Sequence, residues 1–202
     1  MRTHFTRREL EIIKRCDAPE KVQAFLVDEI EYNWEKDGIK TLRSFRRVIR
    51  DRVAHCIEGA LTATAILSQH GYPPKILCME ARDIDHNVFV FKRGNKIGSV
   101  AKSRDNNLLG REPKYKTYRG LVMSYYPFYY NEFTKDKNDL TLRGYAIVDL
   151  GKIKQDWITA EEDLWFIEEL LYKIKYRALF PIHGKKFYYS PSQDGNIILV
   201  DE

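Results

Sequence analysis

Between Cys56 and His86 the chain changes its hydrophobic period, and this limits the folds open to it. Residues 57–67 are almost wholly apolar and long enough for a helix, with small side chains at Gly59, Ala60, Ala63 and Ala65 that let a neighbouring element approach closely. Gly71 is the expected C-cap of a helix running from Ile57 to His70, and Pro73-Pro74 cannot continue it. Lys75 to Glu80 then reads as a strand, Asn87 to Phe91 as a second, Gly94-Asn95 as a hairpin turn and Lys96 to Ala101 as a third strand. A helical half followed by an antiparallel meander is an α+β order.

The flanking sequence extends this pattern. Thr6 to Lys14 reads as a short helix, and Asp17-Ala18-Pro19-Glu20 as the capped start of another that reaches about Tyr32. Thr41 to Arg52 is amphipathic, with Leu42, Phe45, Val48 and Ile49 on one side. Its arginines 43, 46, 47, 50 and 52 form either a solvated face or an electropositive rim. Tyr115 to Tyr130 is strongly aromatic and helical in part, interrupted at Pro127, and Arg143 to Leu150 is a strand candidate. Thr159-Ala160-Glu161-Glu162 has the form of a capping box for a long helix from Ala160 to Arg177. Phe187 to Ser190 and Ile197 to Val200 read as a closing hairpin. These elements predict one domain over 1–202, with a core at about 41–150, a helical N-terminal extension over 1–40 and a C-terminal helix and hairpin over 151–202.

Cys56 begins the central helix and His86 begins a strand, an arrangement suited to thiolate chemistry. The positive end of the helix dipole and a nearby imidazolium both lower a thiol pKa. The free N–H groups of the same helix end can stabilise an oxyanion. His55 flanks the nucleophile position and reads as a supporting or surface residue. Cys16, Cys56 and Cys78 are odd in number and widely spaced, so no disulfide framework is expected. His55, Cys56, Cys78 and His86 lack both a Cys-x-x-Cys pair and a close histidine pair, so no metal is expected. No apolar run is long enough for a membrane span and the N-terminus lacks a signal-peptide core, so the expected location is cytoplasmic.

The run Cys56-x-Glu58-x-Ala60, followed by Leu67, Gly71 and Pro73, resembles the signature of the transglutaminase-like superfamily. Asp85-His86-Asn87-Val88-Phe89-Val90 resembles that family's histidine-bearing strand, and Arg93-Gly94-Asn95-Lys96-Ile97 its turn into a third strand. The likeness covers about Val53 to Ser103. It implies a papain-like fold in which a cysteine-bearing helix packs on an antiparallel sheet. It also implies Cys56 as nucleophile, His86 as general base and acid, no cofactor, and a peptide or protein substrate. The family's third residue, an Asp that orients the histidine, would fall on or near Ala101. Asp105 is the nearest downstream carboxylate and takes that place in the expected site; Asp83 and Asp85, just before the histidine, are alternatives.

The segment from Leu109-Gly110-Arg111-Glu112-Pro113 to Ser124-Tyr125-Tyr126 resembles a bacterial branch of the same superfamily, which implies Arg111, Tyr115 and Tyr125 as substrate contacts. The same stretch interleaves Lys102, Arg104, Lys114, Lys116 and Arg119 with tyrosines, in a chain of formal net charge +5. A nucleic-acid surface is therefore the second reading, less favoured than half-buried tyrosines walling a cleft.

Overall fold

The structure is a computed structural model that describes residues 4–35, 38–181, 187–191 and 197–200. Helix α1 (Arg7–Arg15) is capped by Thr6, whose hydroxyl accepts from the Glu9 N–H, while the Glu9 carboxylate accepts from the Thr6 N–H at 2.6 Å. Helix α2 (Pro19–Asp28) has Ala18 as its cap residue, because Asp17 pairs with Lys21 at 2.8 Å instead. It also ends earlier than expected. Glu31–Tyr32 forms strand β1 and pairs in parallel with strand β2 (Val53–Ala54).

Helix α3 (Phe45–Asp51) starts four residues later than its pattern suggests. The N–H of Leu42 is held by Asp163 at 2.8 Å and that of Arg43 by Glu58 at 2.8 Å, so Ser44 becomes the cap. Arg52, at φ 59°, turns the chain out of α3 into β2. The arginines form no free basic rim: Arg50 stays exposed to solvent, the other four are half-buried, and all five are paired. Arg43 pairs with Asp51 and Glu58, Arg46 with Glu9, Arg47 with Asp163, Arg50 with Asp51 and Glu161, and Arg52 with Glu29. The positive charge is neutralised within the fold.

Helix α4 (Cys56–Ser68) is the central helix. It is buried on nearly every side, which is why its sequence is apolar all round instead of striped. Gly71, at φ +82°, closes the turn with the Tyr72 N–H on the Leu67 carbonyl at 3.2 Å. Strands β3 (Lys75–Ala81), β4 (His86–Arg93) and β5 (Lys96–Val100) follow as a meander. After helix α5 (Tyr118–Met123) come strand β6 (Leu142–Asp149), helix α6 (Trp165–Lys173) and strands β7 (Tyr176–Ala178), β8 (Tyr188–Pro191) and β9 (Ile197–Val200). Among the described residues the main sheet has seven strands, all antiparallel, in the order β5-β4-β3-β6-β7-β8-β9. The turn joining β8 to β9 lies outside the described residues.

Both faces of the sheet are covered. Ile76, Cys78, Phe89 and Phe91 pack with the helices α1 to α4 on one side. Leu77, Met79, Val88 and Val90 pack on the other with Leu121, Val122, Tyr125 and Tyr129. The tyrosine-rich segment therefore forms the second layer of the core, with Tyr125 fully buried and Tyr129 nearly so.

The long C-terminal helix is half its expected length. Asp156 accepts from the N–H groups of Ile158 and Thr159 and from the Thr159 hydroxyl, so Thr159 cannot cap a helix at residue 160. The segment runs extended past α3, where Ser44 donates to the Ala160 carbonyl at 2.6 Å and the Leu164 N–H to the Leu42 carbonyl at 2.8 Å. At the far end Tyr176–Ala178 joins the sheet beside β6.

Two side chains bind the N-terminal helices to the loop after β5. The Gln23 amide bonds both the N–H and the carbonyl of Ala101, each at 2.9 Å, and accepts from the Gly110 N–H at 3.1 Å. The buried Lys102 ammonium donates to the carbonyls of Leu26 and Ile30, just where α2 ends.

Candidate active site

Cys56 is the first residue of α4 and is partly exposed, whereas Cys16 and Cys78 are buried; all three are free thiols. The helix end is fixed by Glu58, whose carboxylate accepts from the His55 N–H at 2.9 Å. The same buried carboxylate also accepts from the Thr41 hydroxyl, the Arg43 N–H and the Arg43 guanidinium. His86 opens β4 opposite Met79, the last pair in the β3–β4 register. Because α4 lies along β4, the start of the helix and the start of the strand meet at one edge of the layer.

The Cys56 sulfur interacts with two imidazoles, His55 and His86, and lies 3.8 Å from the Asp85 carbonyl. Burial pushes the thiol up, but the hydrogen bonds and positive charge of His55 and His86 outweigh it and hold Cys56 well below the usual thiol range. Burial likewise opposes a charge on His55. The sulfur, the Glu58 carboxylate and the Thr41 carbonyl overcome it and push the ring up to about 9. The remote nitrogen of each ring is committed to a carbonyl: His55 Nε2 donates to Thr41 at 2.8 Å, and His86 Nε2 donates to Leu108 at 2.8 Å. In each ring Nδ1 is left as the nitrogen available to the sulfur.

Among the described residues no carboxylate bonds the His86 ring. Asp105 instead accepts from the N–H of Asn107 at 2.8 Å and from its side-chain amide at 3.0 Å, capping the short turn 106–108 that presents the Leu108 carbonyl. Asp85 accepts from the Ala81 N–H at 3.0 Å, and Asp83 from the Glu132 N–H at 2.7 Å. Ala101 is fully buried and held only through its backbone by Gln23. Asp105 thus acts on the loop, one step removed from the ring it was expected to touch.

Arg111 and Tyr125 belong to the same support. The Arg111 guanidinium lies 4.1 Å from the centre of the Tyr125 ring and donates to the carbonyls of Asn107 and Leu109, on either side of Leu108. Tyr125 meets His86 edge to face at 6.1 Å, and its hydroxyl bonds Ser99 at 2.8 Å. Its complete burial leaves it no surface for a substrate, so its expected role as a contact is corrected to that of a wall behind His86. Tyr115 is half-buried and pairs through its backbone with Ile97, at the β5 edge.

Sequence reasoning gave Tyr32 and Trp34 no role, His55 only a supporting or surface one, and Arg104 only a place in the nucleic-acid reading. Pairing of β1 with β2 sets Tyr32 opposite Ala54, two residues before the nucleophile. Burial pushes the Tyr32 hydroxyl up, and the neighbouring Cys56 charge pushes it further. The exposed Trp34 packs on Tyr32 at 5.1 Å, and Arg104 lies over Trp34 at 5.9 Å while pairing with Glu132. The one available signal was Glu58, three residues after His55. That is the spacing of a reciprocal cap, and it marks His55 as a fixed helix-start residue.

Among the described residues no group of three or more His, Cys, Asp and Glu side chains is arranged to hold a metal ion, and no helix is long and apolar enough to cross a membrane. The chain matches no protein-family model, and no curated protein is significantly similar to it in sequence.

Proposed function

We propose that this protein is a cysteine hydrolase or acyltransferase of transglutaminase-like type, acting on an amide of a peptide or protein, with hydrolysis favoured over cross-linking. The observation that carries this reading is a partly exposed thiol at the first position of a helix, depressed in pKa by two flanking imidazoles. The α+β layering, with the cysteine-bearing helix against an antiparallel sheet, supports a papain-like arrangement. Three free thiols support a reducing, cytoplasmic setting.

In this reading the Cys56 thiolate attacks the substrate carbonyl carbon, and the carbonyl π electrons move to oxygen. The N–H groups of the first turn of α4 face the developing oxyanion. Collapse breaks the C–N bond, and the leaving amine takes a proton from an imidazolium, leaving a thioester on Cys56. Water or an amine then gives its proton to His86 and attacks the thioester, expelling the thiolate.

A binding module of the same fold is the second reading. Its nucleic-acid form rested on the tyrosine-rich segment, and burial of Tyr125 and Tyr129 removes those rings from any stacking surface.

Treatment with limiting iodoacetamide at pH 6.5 tests the main reading. Cys56 is expected to react far ahead of Cys16 and Cys78, and more slowly in His86→Ala. Equal labelling of all three cysteines in the folded protein would reject an activated nucleophile.

A further inference from the structure

We propose that His55 is a second catalytic imidazole, the resident cationic partner of the Cys56 thiolate, which leaves His86 as the group that moves the proton. This rests on Cys56 being the nucleophile and divides the work between the two rings that face it.

The division follows from what stands behind each ring. His55 Nε2 donates to the Thr41 carbonyl at 2.8 Å, with the Glu58 carboxylate at 3.7 Å and that of Glu35 at 3.9 Å. Two carboxylates therefore back its positive charge from α4 and from the loop after β1. Arg43 opposes them, since its guanidinium shares Glu58, but that carboxylate accepts four donors and lies fully buried. The other groups near His55 are the Cys56 sulfur and, through it, the Tyr32 hydroxyl.

Behind His86 stand a neutral carbonyl, that of Leu108, and the edge of the Tyr125 ring. The adjacent Asp85 carboxylate is turned to the Ala81 N–H. A carboxylate partner stabilises an imidazolium far more than a carbonyl does. Of the two rings beside the sulfur, His55 is therefore the one the fold backs better as a cation.

In the reaction, His55 keeps its proton and its hydrogen bond to sulfur until the S–C bond forms and sulfur loses its negative charge. When the thioester breaks, the electron pair returns to sulfur and the His55 bond re-forms. The leaving amine takes the His55 proton as the C–N bond breaks; the proton lost by the incoming water or amine goes to His86 Nδ1 and, as the thioester breaks, passes by way of the sulfur to His55, restoring the resting pair. Both rings have a fixed second nitrogen, so neither must reorient between half-reactions.

The pH dependence of Cys56 alkylation by iodoacetamide tests this in the wild type, His55→Gln and His86→Gln. In His55→Gln the rate at pH 6 is expected to fall about tenfold or more, with the plateau at high pH kept, because each unit of thiol pKa is a factor of ten in thiolate. His86→Gln is expected to move the profile less while abolishing turnover of the thioester. An unmoved His55→Gln profile, or a larger shift from His86→Gln, would overturn the assignment.

Should either variant fold poorly, ring nitrogen NMR on the wild type decides. His55 is expected to hold its proton to about pH 9 and to lose that elevation once Cys56 is carbamidomethylated. A charge found on His86 in place of His55 at pH 7 would refute the proposal. Uniform alkylation of the three cysteines would instead defeat the nucleophile itself. Selective alkylation of Cys56 with an unmoved His55→Gln profile would defeat the His55 role alone.

Discussion

The Nε2–H of His86 donates to the backbone carbonyl of Leu108 at 2.8 Å, so a peptide group occupies the place that a carboxylate would take in a charged triad. A carbonyl fixes the tautomer and direction of the ring without drawing a full positive charge onto it. The quality of this contact depends on the loop from Asp105 to Arg111.

Arg111 is therefore expected to matter through kcat. Arg111→Ala frees the carbonyls of Asn107 and Leu109 and uncovers the Tyr125 ring. It should cost about 1–2 kcal/mol of stability. Turnover should fall with KM unchanged on any competent amide substrate. A rise in KM at constant kcat would instead make Arg111 a substrate contact.

Gly59 is expected to tolerate no side chain. A Cβ there would lie 2.4 Å from the Cβ of Lys102, a side chain already fixed by its own hydrogen bonds. Gly59→Ala gains about 1 kcal/mol in helix propensity, but overpacking should reverse it to a net loss of about 2 kcal/mol. Urea denaturation followed by circular dichroism measures the difference.

Glu58→Gln keeps the shape of the helix cap and removes its charge. The buried carboxylate neutralises Arg43 and faces His55, so stability should fall by about 3 kcal/mol. The His55 ring should titrate lower by NMR. A fully stable variant with unchanged His55 titration would show that the carboxylate serves only as a hydrogen-bond acceptor.

The thiolate and imidazolium also set a pH signature of stability. His55 is raised from 6.5 to about 9, so its contribution is complete below pH 6.5 and is lost as pH rises toward 9. Cys56 is depressed from 9.0, so its contribution is complete above pH 9 and is lost as pH falls through the thiol's folded value. Between pH 6.5 and 9 the two slopes oppose each other in the wild type. Relative to wild type, Cys56→Ser should lose stability as pH rises through this window, and His55→Gln should gain it. Chemical denaturation at several pH values reads the sign of each slope; parallel profiles in all three proteins would contradict the ion pair.

The fold was legible where local and tertiary demands agree. The Gly71-Tyr72-Pro73-Pro74 break and the strand on each side of Gly94-Asn95 appear where their chemistry puts them. It was illegible where a polar side chain had two possible partners. Thr159 could cap a helix, but Asp156 holds it; Asp17 could cap another, but Lys21 holds it. In the candidate site, the meeting of Cys56 with His86 could be read from their positions next to element starts. The acceptor behind His86 could not, because every residue carries a backbone carbonyl and only the path of the loop chooses Leu108.

The grip of Gln23 on Ala101 and Gly110, and of Lys102 on the carbonyls at the end of α2, bears on how this protein can be shortened. A fragment begun at residue 41 would strand a buried ammonium without acceptors and release both ends of the stretch that carries the Leu108 oxygen. Helix α2 and the turn that ends it thus brace the loop that holds the His86 ring, and trimming them is expected to let that ring drift.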